Sequence, residues 1–275
     1  MRKQSKRIIS SIIMLTILML IAIPVTAQAS TNVYEYYGSK LSGDDKKTYT
    51  AIRDAWTKGE ETTVPFLLEG DEIPDYITIG QLVLLDHPEC FWVYGTGALV
   101  YNNEFSLWAI PRWKNAHKQL STFENKVDKV VNQLKKKCKG KSTAQKAKII
   151  HDWIGRNCSY KYSKYDQTAY GVFAKNKAVC AGYARAYKLL CDRLGVQCIC
   201  VSGYVTQTDG PDGSHMINFV KIDKKWYYVD CTWDDKNGNK TPIHDNFLLG
   251  RNAAKGLTSC WGIKLPKLSK NGYKK

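Results

Sequence analysis

The 275-residue sequence predicts an α+β protein. Three observations carry that expectation. Residues 142–194 contain two segments whose apolar residues recur at helical spacing. From residue 196 the period changes to two, through three strand-like runs. Residues 44–110 hold a smaller mixture of short helices and aromatic runs, so an N-terminal α+β region precedes the main one. Hydrophobic residues make up 44% of the chain and charged residues 24%, which excludes a collagen-like, low-complexity or wholly disordered polymer.

Residues 30–41 read as an irregular, tyrosine-rich lead-in. Residues 44–58 place Tyr49, Ile52, Ala55 and Trp56 at helical spacing, closed by Gly59, and residues 77–85 form a second short helix ending before His87-Pro88. The runs 91–93, 98–101 and 105–110, broken by Gly and Asn, predict short strands. Residues 115–138 predict a long amphipathic helix with Leu120, Phe123, Val127, Val130, Val131 and Leu134 on one side, stopped by Gly140. Ser142 and Gln145 form a capping box that opens a helix carrying Ala147, Ile150, Trp153 and Ile154. Residues 160–170 hold four tyrosines, lack periodicity and read as a loop over something. Residues 179–194 predict a helix with Tyr183, Ala186, Tyr187 and Leu190 toward the core and Gly195 as its stop. Strands follow over 196–204, 215–222 and 226–232. No internal repeat is visible.

Arg2, Lys3, Lys6 and Arg7 precede an uncharged apolar run at residues 8–23, followed by Pro24 and Ala27-Gln28-Ala29. That is the order of a secretory signal peptide, and the run falls short of the roughly 20 residues a spanning helix needs. Cleavage after Ala29 would leave 246 residues. It would lower the net charge from +16 to +12, since four basic residues and no acid precede it. The expectation is a secreted, extracellular or envelope-associated protein with no transmembrane helix after cleavage. Export removes nucleic acid as the partner of the positive charge. Nine lysines lie between Lys126 and Lys148 against one acid, Asp128, and five more follow from Lys264 to Lys275. Anionic cell-envelope polymers suit them by non-specific attraction; a solvated helix face and a frayed tail is the plainer alternative. The nine cysteines (90, 138, 158, 180, 191, 198, 200, 231, 260) are odd in number, so at least one stays unpaired in an exported chain. None forms a C-x-x-C pair, which argues against structural zinc, and most read as small core hydrophobes.

Cys180 differs from the rest. It opens a helix, where unpaired N–H groups and about half a positive charge favour a thiolate. A two-residue turn at Asp223-Lys224 would pair Lys221 with Trp226, Phe219 with Tyr228 and Ile217 with Asp230. His215 and Asp230 then share one sheet face as diagonal neighbours, roughly 7–8 Å apart along the backbone. An aspartate can bond one imidazole nitrogen from there and leave the other for Cys180, which assembles nucleophile, base and orienting acid. His87, His117, His151 and His244 read as structural or surface residues. The stretch from Asp234 to Asn239 lacks the order of an EF-hand loop and reads as a turn. No metal and no cofactor is expected.

Ala178-Val179-Cys180-Ala181-Gly182-Tyr183-Ala184, then His215 with Asn218, then Trp226-Tyr227-Tyr228-Val229-Asp230-Cys231-Thr232-Trp233-Asp234 resemble the core of the transglutaminase-like superfamily. The resemblance spans residues 149–235. It implies a papain-like α+β fold, with the family's Cys, His and Asp falling on Cys180, His215 and Asp230. The chain departs from the pattern in two places: Met216-Ile217 stands where many relatives have Ala-Trp, and Ala181 where an acidic residue is frequent. Leu85-Asp86-His87-Pro88-Glu89-Cys90-Phe91-Trp92 also looks like a segment of exported bacterial members. The implied organisation is a signal peptide at 1–29, an N-terminal α+β region at 30–125 and a catalytic domain at 126–275.

The expected chemistry is acyl transfer. Cys180 attacks a peptide or protein amide, His215 protonates the leaving amine, and the thioester passes to water or to a lysine amine. The Cys180 backbone N–H is the expected oxyanion donor, and one of Tyr160, Tyr162, Tyr165 or Tyr170 a second. The loop 206–214 has the composition of a mobile flap or, equally, of a plain hairpin connection. Hydrolysis is favoured over crosslinking, because water is abundant and nothing resembles the added domains of large crosslinking enzymes. The alternative is a non-catalytic transglutaminase-like module that binds envelope peptides or glycans.

Overall fold

The computed structural model describes residues 33–70, 72–101, 104–205, 213–235, 241, 243–259 and 261–274. The expected signal segment, most of the expected flap, Cys260 and residues 236–239 of the acidic stretch lie outside the described residues.

Helix α1 (Gly43–Trp56) buries Tyr49, Ile52, Ala55 and Trp56, the four residues its spacing selects. Strand β1 (Phe66–Leu67) follows, then helix α2 (Tyr76–Asp86), whose first turn is capped by the Asp75 carboxylate accepting from the Thr78 N–H. Such a cap contributes about 1 kcal/mol. Strands β2 (Val93–Tyr101) and β3 (Glu104–Pro111) complete a three-stranded antiparallel sheet in the order β1-β3-β2. The expected runs 91–93 and 98–101 merge into one strand. The Trp108 ring lies across Gly97, where a Cβ would stand 2.3 Å from the indole, so the glycine admits the ring rather than ending the strand.

Helix α3 (Leu120–Cys138) buries Phe123, Val127, Val131 and Leu134. It starts later than its periodicity implies, after a 3-10 turn at Ala116–Gln119, because Asn115 adopts a left-handed φ of 57°. The expected boundary at 125/126 falls inside this helix. Buried residues on both sides of it join one core, and Asn32–Lys275 form one compact unit. Helix α4 (Thr143–Asn157) has both capping-box bonds, Gln145 N–H to Ser142 Oγ at 3.3 Å and Ser142 N–H to Gln145 Oε1 at 3.0 Å. Strands β4 (Ser159–Tyr160) and β5 (Lys177–Ala178) pair in parallel at the two ends of the tyrosine-rich segment.

Helix α5 (Cys180–Arg193) is buried on nearly every side, not on one face as its apolar spacing implies. Arg185, Lys188 and Asp192 are inside with the aromatics. Lys188 donates to Asp192 one turn on. Burial works against the Lys188 charge, but Asp192 and Asp86 outweigh it and hold the ammonium above its usual range. Lys188 and Asp192 satisfy each other within the core and Arg185 donates to the Gln167 carbonyl, and a helical-spacing pattern has no way to show that.

The remaining strands are β6 (Cys198–Val205), β7 (Gly213–Ile222), β8 (Lys225–Val229), β9 (Phe247–Leu249) and β10 (Leu257–Ser259). They form an antiparallel sheet in the order β10-β6-β7-β8-β9, with α5 against β6 and β7 and α4 against α5. The last two strands have three residues each, too few to show a period. Asp223 and Lys224 have φ of 49° and 67°, the two left-handed positions of a type I′ turn. Lys221 accordingly pairs with Trp226 and Phe219 with Tyr228, the register that a two-residue turn dictates.

The lysine-rich C-terminal stretch is pinned, which corrects its reading as a frayed tail. The Ser269 N–H reaches the Trp226 carbonyl at 2.8 Å, and the Tyr273 N–H reaches that of Leu248 at 2.9 Å. The lead-in is anchored too, by the Tyr37 hydroxyl donating to the Cys200 carbonyl at 2.6 Å. Among the described residues, no helix is long and apolar enough to cross a membrane.

Candidate active site

Cys180 is the first residue of α5, behind Val179 at the N-cap, so no side-chain cap competes for the first N–H groups of the helix. Gly182 makes this placement possible. A Cβ there would stand 2.4 Å from the Asp166 carbonyl and 3.0 Å from that of Thr168, so only glycine lets residues 166–168 press onto the first turn. The role of Gly182 is therefore backbone packing beneath the cysteine rather than clearance for a substrate. Burial pushes the Cys180 thiol up. Hydrogen bonding and charge from His215, together with the Met216 and Ala181 N–H groups, outweigh burial and leave the thiol below its usual range.

His215 lies on β7, opposite Gly203 of β6. Its Nε2 is 2.7 Å from Asp230 Oδ2, and its other nitrogen is left for the Cys180 sulfur. Burial disfavours the imidazolium, but the bonds to Asp230 and then Cys180 dominate and raise His215 to about 9. The hairpin register brings histidine and aspartate to one face, yet Asp230 itself is not in the ladder. β8 ends at Val229, short of the expected 232, and the Asp230 N–H turns to the Asn246 carbonyl at 2.9 Å. The chain then folds back, so that the N–H groups of Thr232 and Trp233 donate to Asp230 Oδ1 at 2.9 and 3.1 Å. The Tyr228 hydroxyl donates to Oδ2 at 3.1 Å. Every hydrogen bond to this buried carboxylate thus helps to aim it.

The four tyrosines separate. Tyr160 is the one beside the thiol: burial, then the Cys180 charge, then Tyr162 push its hydroxyl up to about 12. Tyr162 is exposed, with its ring 6.1 Å from that of Tyr160. The structure does not bring Tyr165 and Tyr170 into this group. Their rings pack against Trp113, and Tyr170 also stacks on Phe91 at 4.9 Å.

Two contacts escaped the sequence reading. The Trp233 indole stacks on the His215 imidazole at 4.9 Å and 13°, and it can do so only because the chain turns back at Asp230. The Asn218 amide donates to the Ala184 carbonyl of α5 at 3.0 Å and to that of Ile199 on β6 at 3.3 Å, locking the helix that carries Cys180 to the sheet that carries His215. Its spacing from His215 was the available signal. Of the histidines expected to be structural, His87 is buried between Glu35 and Glu89, and His117 pairs with Glu61 at 2.8 Å. His244, expected at the surface, is half-buried and lies 2.6 Å from Asp152, beside His151. The eight described cysteines are all free thiols.

Residues 128–231, which include Cys180, His215 and Asp230, match the Transglutaminase-like superfamily. The Kyphoscoliosis peptidase of Mus musculus is 28% identical over 105 residues, covering 34% of this chain and 16% of that protein. Its Homo sapiens counterpart is 26% identical over 125 residues, covering 41% of this chain and 19% of that protein. The chain thus spans less than a fifth of the length of these curated relatives. Among solved structures, one described as a TGase aligns with a TM-score of 0.39 and 16% identity, over 65% of this chain and 55% of that one. The periplasmic domain of TgpA from Pseudomonas aeruginosa aligns with a TM-score of 0.33 and 12% identity, over 47% and 54%. Residues 128–231 of this mixed helix-and-sheet chain thus match a transglutaminase-like domain.

Proposed function

We propose that the chain is a secreted, cysteine-dependent acyl-transfer enzyme acting on peptide or protein amides, hydrolytic rather than crosslinking. The observation that carries this reading is the relay in which His215 holds Asp230 at 2.7 Å through one ring nitrogen and the Cys180 sulfur through the other.

The Cys180 thiolate attacks the amide carbonyl, and a C–S bond forms as the oxygen takes up negative charge. The Cys180 backbone N–H at the open helix end receives that charge, with the Tyr160 hydroxyl beside the thiol as a second donor. The His215 imidazolium gives its proton to the leaving amine, the C–N bond breaks and a thioester remains. His215, now neutral, takes a proton from water, and the hydroxyl attacks the thioester. The acid is released and the thiolate returns. Asp230 keeps the imidazole oriented throughout and stabilises its charge. The curated relatives carry the name peptidase, which favours water as the acceptor. The signal-like N-terminus supports work outside the cytoplasm, where the exposed lysines of α3 would attract anionic envelope polymers.

Iodoacetamide labelling of each cysteine from pH 5 to 9, mapped by peptide mass spectrometry, tests the nucleophile. Fast labelling of Cys180 below pH 7, lost in His215→Ala, is the expected result. A glutamine-rich protein offered with and without a fluorescent primary amine then separates hydrolysis from crosslinking. Labelling of Cys180 at the rate of an ordinary thiol would overturn the reading in favour of a module that binds envelope peptides or glycans without turnover.

A further inference from the structure

His151, Asp152 and His244 stand apart from the Cys180 relay, and the proposed acyl transfer uses none of them. The geometry points to a divalent transition-metal site of the zinc class, with His151 Nδ1, Asp152 Oδ1 and His244 Nε2 as its protein ligands.

His151 is 1% exposed, and its Nδ1 has no hydrogen-bond partner, with Asp152 Oδ1 out of reach at 3.8 Å. A buried imidazole nitrogen left empty is costly and calls for an occupant. The other nitrogen, Nε2, lies 3.0 Å from Asp234 Oδ2. Asp234 is itself held by the Asn246 backbone and side-chain N–H groups at 2.9 and 3.1 Å. Neither Nε2 nor Asp234 Oδ2 makes a hydrogen bond, but the carboxylate stands where it can orient a metal-binding histidine. His244 Nε2 approaches Asp152 Oδ1 at 2.6 Å, and the three ligand atoms lie within 4.8 Å of one another. An ion with bonds of about 2.0–2.2 Å fits among them after small rotations of His244 and Asp152. A plain histidine–aspartate bond accounts for His244 and Asp152, but it leaves His151 Nδ1 without a hydrogen bond, facing Asp152 Oδ1 across 3.8 Å.

The donor set selects the ion. Two imidazole nitrogens and one carboxylate oxygen suit zinc and its neighbours, whereas calcium and magnesium take oxygen ligands. Lys148 occupies the other carboxylate oxygen, Oδ2, at 2.9 Å and leaves Oδ1 to the ion. A cleft of about 330 Å³, lined in part by Ser142, Gln145, Lys148, His244 and Phe247, opens beside His244 and supplies an entry path and room for a fourth ligand. A bound ion would tie α4 to the segment between β8 and β9. That segment also carries Trp233, the residue stacked on His215.

The test uses the full chain carrying Cys180→Ser, which removes the reactive thiol as a competing zinc ligand. After chelator treatment, Zn²⁺ is titrated by calorimetry and Co²⁺ by visible absorption. The expected result is one ion per chain, with the intense Co²⁺ bands of low coordination. Asp234→Asn should weaken binding ~10–100-fold, and His244→Ala should weaken it further while the fold is retained by circular dichroism. Absence of stoichiometric uptake, uptake unchanged in His244→Ala, or uptake lost only when cysteines are alkylated would each overturn the site. None of these readouts depends on acyl transfer, so failure here and failure of the proposed activity are distinguishable.

Discussion

His215 and His87 occupy different regions of the molecule and share an electrostatic state. His215 sits on the central strand β7 in the Cys180 relay, with Asp230 on Nε2. His87 follows α2, with Glu89 Oε1 2.9 Å from Nδ1 and Glu35 Oε1 3.1 Å from Nε2. At both, burial opposes the charge, neighbouring acids outweigh it, and the imidazole is raised to about 9. The difference lies in the second nitrogen. His87 spends both on carboxylates and ties the lead-in to the turn after α2. His215 keeps one for a thiol. A raised imidazole therefore does not by itself mark chemistry; a nitrogen committed to a nucleophile does.

Removing each histidine separates the two roles most sharply. His215→Ala, or Asp230→Asn, should lower kcat/KM for amide cleavage by at least ~10³-fold, with a smaller loss of unfolding midpoint than at His87, because Tyr228, Thr232 and Trp233 still donate to residue 230. His87→Ala should do the reverse. It leaves two carboxylates without their cation and should cost about 3–5 kcal/mol in denaturant unfolding, while Cys180 of the folded fraction labels with its normal pH dependence. A His87 variant that unfolds normally but loses labelling would break the comparison.

Titration sharpens it further. His87 is raised from 6.5 to about 9 on folding, so its contribution to stability is complete below pH 6.5 and is lost as pH rises through about 9. Glu35 is lowered from 4.5 to about 2, chiefly by its bond from His87, with burial opposing. Its contribution is complete above pH 4.5 and is lost as pH falls through about 2. The stability gap between wild type and His87→Ala should thus be widest near pH 5–6 and narrow above about pH 9. At the other site, turnover should fall above about 9 as His215 loses the proton needed by the leaving amine. Iodoacetamide labelling of Cys180 should not fall there, since the thiolate persists.

The sequence revealed those parts of the site that depend on local periodicity. The Asp223-Lys224 turn and the alternation after it placed His215 and Asp230 on one face, and the opening of α5 placed Cys180. What it could not reveal depends on where the chain stops obeying a period. Trp233 reaches His215 because β8 ends at Val229 and the backbone bends around the Asp230 carboxylate. Glu35 meets His87 across 52 residues, with no pattern linking them. The tyrosine-rich segment suggested cover over the site by composition alone. Tyr165 and Tyr170 joined Trp113 instead, since large rings are best buried against other rings. The apolar spacing of α5 gave no sign that Lys188 and Asp192 are buried, because their partners lie on the same helix and in the Asp86 region, inside the core.

The smallest effect is expected at Tyr228, and it tests whether Asp230 is held redundantly. The Tyr228 hydroxyl and His215 Nε2 share Asp230 Oδ2, at 3.1 and 2.7 Å, while two backbone N–H groups hold Oδ1. Burial, and then the Asp230 charge, push the Tyr228 hydroxyl well up, so it remains a donor across the working pH range. Tyr228→Phe deletes that donor and fills the same volume. Removing one hydrogen bond should cost about 1 kcal/mol, and Oδ2, relieved of one partner, should accept more strongly from His215. The alkaline limb of turnover should then shift upward, with kcat/KM changing less than tenfold. A loss as large as that of Asp230→Asn would mean that the phenol, and not the backbone, fixes the carboxylate, and the account of Asp230 as aimed by its own turn would fail.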